Sequence, residues 1–195
     1  MKLHNELRLE VPVAQAWSAL LDVPRVARAL PGAAVEGDAG PDGYQGRMRV
    51  KIGPASAEYA GIARLEDVDD DEHRASYRVH GREIHGQGEA EAVIRVAAIP
   101  DGAATRVRVD TELAVSGRQA QLGRGLMEDV AAGVLGEFAA RLQDALTGAS
   151  DPGDDASEPF DAGRAVLRPL LERAAYALAG LLAGLMLGRV LWRRS

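Results

Sequence analysis

The sequence predicts an α+β domain in which an antiparallel sheet curves around one long helix, followed by an acidic linker and a separate apolar helix. Three observations lead there: alternating apolar residues from 33 to 117, a four-residue apolar repeat from 119 to 147, and a segregation of charge after residue 147. The 195 residues suffice for one domain with a proper core. Aromatic residues make up only 4%, so aliphatic side chains must fill that core.

The elements follow in order. Leu3, Leu7, Leu9 and Val11 alternate with charged residues in a half-buried strand. Val13, Ala16, Trp17, Leu20 and Leu21 recur at helical spacing after Pro12. Asp22 and Pro24 interrupt that helix, and a second short one runs towards Leu30, closed by Leu30-Pro31-Gly32. Tyr44 to Ile52, Ala57 to Leu65, Tyr77 to Val79, Ala90 to Val96 and Val107 to Val115 then alternate as strands. Residues 67–72, Gly81, Gly86 and Pro100-Asp101-Gly102 supply turns. Leu122, Leu126, Val130, Val134, Phe138, Leu142 and Leu146 form the stripe of a helix over 119–147, with Gly148 as its stop.

Charge divides the chain into three parts: a domain over 1–147, a flexible acidic linker over 148–163 and a membrane-anchoring helix over 164–195. The linker holds Asp151, Asp154, Asp155, Glu158 and Asp161 and no basic residue, whereas the last part sets six arginines against Glu172. As a coil of sixteen residues the linker spans roughly 20–24 Å. Ala174 to Gly188 carry no charge, and a helix of that length reaches about 22 Å, short of a hydrocarbon core of about 30 Å. With Arg189 snorkelling, the span extends to Trp192 and about 28 Å. Leu181, Leu182 and Leu185 supply its apolar body, while Tyr176 and Trp192 sit near the two ends as interface anchors. Gly180, Gly184 and Gly188 give it a small-residue stripe suited to helix pairing.

The search for chemistry is nearly empty. A net charge of −6 argues against nucleic acid, and the absence of cysteine removes disulfides, thiolate metal sites and thiol nucleophiles. His80 and His85 have no metal-binding spacing, His4 and His73 are isolated, and Asp69 to Glu72 lack the pattern of a calcium loop. Gly123-Arg124-Gly125 lacks a full phosphate-binding fingerprint. The chain therefore reads as a non-enzyme with no metal or covalent cofactor. The first residues lack a signal peptide, which places the domain in the cytoplasm.

The face of the sheet that meets the helix is unusually light. Gly46, Gly61, Gly88, Ala57, Ala63, Ala90 and Ala92 stand where a filled core calls for larger side chains. Either helix and sheet pack very close, or an apolar cavity lies between them. In the second case Met48, Val50, Tyr59, Leu65, Tyr77, Ile94, Val107, Val109, Leu122, Leu126, Met127 and Val130 line it. Tyr59 and Tyr77 are then the polar handles, and leucine at Gly61 or Ala92 fills the void at modest cost.

Several short stretches resemble the carbon monoxide dehydrogenase CoxG family of the START and birch-pollen-allergen (SRPBCC) superfamily. They are Val13 to Trp17 with Leu20, Leu21 and Asp22; Leu30-Pro31-Gly32; Lys51-Ile52-Gly53-Pro54; Tyr59-Ala60-Gly61; Gly86-Gln87-Gly88; and Val115 to Gly123, continuing to Glu137-Phe138. The resemblance implies a helix-grip fold, a hydrophobic-ligand cavity and a C-terminal tether to the cytoplasmic face of the cell membrane. It also implies service to a carbon monoxide dehydrogenase-like molybdenum hydroxylase, and a bound respiratory quinone, menaquinone or ubiquinone. Membrane lipids and a hydrophobic small molecule are the further partners expected. The alternative is an adaptor or assembly factor that recruits the same enzyme with no ligand of its own. Ending the chain after residue 150 is expected to leave a folded monomer in the supernatant of a high-speed spin, while the full chain pellets with membranes.

Overall fold

The computed structural model describes residues 1–149 other than 53, 54 and 122, together with the pair 160–161. Met1–Ala162 form one compact unit. The expectations for 164–195, including Tyr176, Leu181, Leu182, Leu185, Arg189 and Trp192, lie outside the described residues.

The chain runs β1 (Lys2–Leu9), α1 (Val13–Leu21), α2 (Val23–Ala29), β2 (Ala33–Asp38), β3 (Gly43–Ile52), β4 (Ala55–Asp69), β5 (Arg74–Glu83), β6 (Glu89–Asp101) and β7 (Ala104–Val115). A 3-10 turn (Gly117–Gln121), α3 (Arg124–Thr147) and the two-residue β8 (Phe160–Asp161) follow. The sheet order is β1-β7-β6-β5-β4-β3-β2, each neighbouring pair antiparallel, with β8 beside β3. This is the α+β architecture that the strand pattern predicts. The first strand closes the sheet against the last, Leu7 standing opposite Val107.

Strand registers decide which side chains share a face. Cross-strand partners point the same way, so Val50–Ala57, Met48–Tyr59, Ala63–Val79–Ala92–Leu113 and Leu65–Tyr77–Ile94 form apolar rows on the inner face. The intervening residues form charged pairs on the outer face, among them Lys2–Glu112, Arg95–Glu112, Arg82–Glu89 and Arg78–Glu66.

Packing concentrates at one end of the sheet. Leu7, Leu9, Trp17, Leu20, Tyr77, Val96, Val107, Val109, Phe138 and Leu142 are buried together there. Directed bonds fix α1 over this end. The Trp17 indole N–H donates to Asp70 Oδ1 at 2.8 Å, and the indole meets the His73 ring edge-on at 5.6 Å. The buried Tyr77 hydroxyl donates to the Leu20 carbonyl. The acidic β4–β5 turn is therefore latched through Asp70 to α1. Asp22 caps α2 by accepting from the Arg25 N–H at 3.0 Å, which explains the break between the two short helices.

Helix α3 starts five residues later than its apolar repeat predicts. Gly123 and Gly125 each disfavour helix by about 1 kcal/mol relative to alanine, and a 3-10 turn takes up residues 117–121. The helix ends as expected, with Gly148 left-handed at φ 72°. Its last turns reach the packed end, where the Gln15 side chain donates to the Leu146 carbonyl at 3.1 Å.

Gly46 and Gly61 on the inner face serve backbone approach instead of emptying a pocket. A Cβ at Gly61 would collide with the His80 carbonyl oxygen and lie 2.6 Å from the Gly81 Cα. One at Gly46 would lie 2.5 Å from the Ala34 carbonyl oxygen. The expectation that leucine at Gly61 fills a void is thus overturned: the neighbouring strand already occupies that space. Gly61→Ala is expected to lower stability in urea unfolding by about 1–3 kcal/mol. Gly136→Ala, in the exposed middle of α3 with no atom beyond the neighbouring residues and backbone of its own helix within 4 Å of the new methyl, should gain roughly 0.5–1 kcal/mol in the same assay.

Candidate ligand groove

The end of the sheet opposite the packed core collects the β3–β4 hairpin, the β5–β6 turn and the connection from β7 into α3. Here the inner face is apolar but not covered. Met48, Val50, Tyr59, Val79, Ala92, Leu113 and Val115 are half-buried. On α3, the stripe that packs through Val130, Phe138 and Leu142 continues backwards to Met127, half-buried, and Leu126, 39% exposed. Apolar surfaces on sheet and helix therefore face each other without closing. A cavity of about 500 Å³ lies over the middle of β5, β6 and β7, with Val79, Ala92, Leu113 and Arg124 among its lining residues.

The structure divides the twelve residues predicted to line a cavity. Met48, Val50, Tyr59, Leu126 and Met127 stand around the open end. Leu65 and Ile94 are half-buried at the margin, packed against the core. Tyr77, Val107, Val109 and Val130 are buried, the first three in the core cluster, and are not groove residues. They face the right side, but α1, α2 and the end of α3 fill the space above that end of the sheet. Leu122 lies outside the described residues. None of the twelve lines the 500 Å³ cavity itself, which lies against the next row of the same face. Of the residues lining it, Ala92 is one that the sequence marks out by its small size. Val79 and Leu113 are legible as inner-face positions, but only the strand register brings them beside Ala92.

The two tyrosines separate in the same way. Tyr77 has spent its hydroxyl on the Leu20 carbonyl, and burial pushes its pKa upward, so it is a core residue and not a polar handle. The Tyr59 hydroxyl makes no hydrogen bond to any described residue. Burial, and then the nearby Glu83 carboxylate, raise its pKa and hold it protonated as a donor.

Charged side chains share the lining of the cavity: Lys2, Arg78, His80, Glu91, Glu112 and Arg124 stand beside Val79, Ala92 and Leu113. His4 lies 2.6 Å from Asp110, and His80 3.8 Å from Glu91, on the outer face. Among the described residues no group of three His, Asp or Glu could hold a metal ion. No helix among them is long and apolar enough to cross a membrane.

Comparison with known structures places this fold. A conserved protein from Geobacillus kaustophilus is 21% identical with a TM-score of 0.66, over 76% of this chain and 97% of that one. A START superfamily protein from Mycobacterium smegmatis is 15% identical with a TM-score of 0.53, over 76% and 99%. A Thermus thermophilus protein is 14% identical with a TM-score of 0.55, over 74% and 99%. At these identities the likeness shows a shared START-like α+β fold. No curated protein matches the chain. The profile of one family, that of the CoxG subunit of carbon monoxide dehydrogenase, matches residues 6–147, which is the sheet and α3 together. With that match across nearly the whole described domain, the chain belongs to the carbon monoxide dehydrogenase CoxG family.

Proposed function

We propose that this protein binds a hydrophobic small molecule, a respiratory quinone such as menaquinone or ubiquinone, in the groove between α3 and the sheet. On this reading it serves a carbon monoxide dehydrogenase-type molybdenum hydroxylase at the membrane. The observation that carries the reading is the uncovered apolar surface at the open end. Exposed apolar area costs roughly 25 cal/mol per Å², so an apolar occupant that displaces water from Ala92 and Leu113 in the cavity, and from Met48, Val50, Leu126 and Met127 around the open end beside it, is stabilising. A volume of about 500 Å³ is within the range of small-molecule pockets.

The fit to a quinone rests on the same residues. Val79, Ala92 and Leu113 in the cavity suit its ring and isoprenoid chain, and Tyr59, at the open end beside the cavity, supplies a neutral hydroxyl that can donate to a carbonyl oxygen. The chain's own part is to bind, orient and exclude water. The family name supports the enzyme as partner. The apolar, arginine-flanked segment 174–188 supports a tether to membrane lipid on the cytoplasmic face. Binding rather than catalysis is the activity proposed, and the exposed His80–Glu91 pair in the lining is given no catalytic part in it.

Thermal melts of the 1–150 form with a short-chain quinone test this. A ligand that binds only the native state at a hundred times its Kd stabilises by about 2.7 kcal/mol. The melting temperature should rise with quinone concentration. Ala92→Leu, which fills the cavity, should abolish the rise, and Tyr59→Phe should weaken affinity by roughly 3- to 10-fold, the worth of one hydrogen bond. If saturating quinone leaves the melt unchanged, the ligand reading falls and the recruitment adaptor stands in its place.

A further inference from the structure

Strand β2 pairs with β3 only from Tyr44 to Met48, so the same edge of β3 runs on without β2 towards the β3–β4 hairpin. The pair Phe160–Asp161, inside the segment read as a flexible linker, takes up this edge, with Val50 opposite Phe160 and Lys51 opposite Asp161. Parallel pairing carries direction. β3 runs towards the open end, so β8 does too, from Phe160 to Asp161. Helix α3 ended at the opposite, packed end, where Gln15 meets Leu146. Residues 160 and 161 thus stand on the β3 edge beside the open end, away from the end at which α3 stops.

The mouth carries its own apolar tips. Ile84, in the β5–β6 turn, is 40% exposed, and Leu126 at the start of α3 is 39% exposed. Ala120 is exposed on the connection between β7 and α3. The hydrogen bonds from the Ile84 N–H to the Glu58 carbonyl and from the Ser116 N–H to the Glu89 carbonyl tie these segments to one rim. Charges of both signs surround them, Arg118 and Arg124 against Glu89 and Glu128, so no strong field of one sign selects an anionic surface.

We propose that the open end of the domain is a bilayer-docking face, inserting Ile84 and its neighbours among lipids, and that β8 is the strap that turns this end towards the membrane. The inference rests on the tether reading of 174–188. It adds an orientation: the groove mouth meets the lipid, so an apolar ligand passes between groove and bilayer without crossing water. A strand of two residues has few hydrogen bonds to lose, so the strap can release and lengthen the free tether by the residues from 148 onward.

The test uses the full chain, which has no cysteine of its own. An environment-sensitive dye is attached at Ile84→Cys, at Ala120→Cys and, at the packed end, at Asp71→Cys. Each protein is bound to phosphatidylcholine vesicles containing doxyl-labelled lipid. The dyes at 84 and 120 are expected to shift to the blue and be quenched, and the dye at 71 to do neither. Vesicle binding with all three unquenched, or with 71 quenched, overturns the orientation and leaves the tether standing. No vesicle binding at all overturns the tether and the docking face together. Phe160→Pro with Asp161→Pro removes two backbone N–H groups from β8. It should reduce quenching at 84 while sedimentation with vesicles is unchanged; undiminished quenching removes the strap from the proposal.

Discussion

One helix of 24 residues cannot cover the inner face of a seven-stranded sheet, and the rest of the molecule follows from how that shortfall is distributed. Short helices α1 and α2 make up the deficit at one end only. Trp17 and Tyr77 hold α1 there through Asp70 and the Leu20 carbonyl, and Leu9, Val107 and Leu142 become fully buried beneath. At the other end α3 has no helical neighbour among the described residues. Its first turns and the facing strands keep apolar surface that no further element of the described domain conceals. The groove is thus a property of helix count and not of any single lining residue.

This explains which features were legible in the sequence. Element order, the antiparallel meander and the inward rows can be read because alternation has a period of two and survives any tertiary context. The two-helix break at Asp22 and the stop at Gly148 carry their own chemical signals. The groove residues were only half legible. Met48 and Val109 have the same local pattern, inward and aliphatic, yet one stands at the mouth and the other is in the core. The difference is position along the strand relative to α1 and α2, which no window of sequence contains. Glycine misled for a related reason: at Gly61 the missing side chain makes room for the backbone of β5, and sequence cannot tell close approach from empty space. The pairing of Phe160 and Asp161 with β3 was illegible in a stretch rich in Asp, Gly, Pro and Ser, because it depends on an edge that β2 leaves open.

The two faces of the sheet divide the labour between ordering and binding. Outer-face pairs such as Arg78–Glu66 and Arg82–Glu89 are exposed and contribute little stability each, on the order of 0–1 kcal/mol. Their value lies in solubility. The CoxG family match runs through both faces and α3, so family membership and the open groove concern the same set of residues.

The closure of β1 against β7 has a consequence for how the chain comes to be folded. Lys2 stands opposite Glu112 and Leu9 opposite Thr105, so the first strand made must wait for the last before its ladder can form. At synthesis rates of roughly 5–20 residues per second that interval is on the order of 5–20 seconds. Throughout it Leu3, Leu7 and Leu9 form an unpaired strand exposed to other nascent chains. Lys2, His4, Glu6 and Arg8 interleave them, and charges at alternate positions are what keep such a strand from pairing with the wrong partner. The same residues that decorate the finished edge therefore act first as a guard on the ribosome, and a sheet so dominated by distant pairings folds slowly, in milliseconds to seconds once the last strand is free.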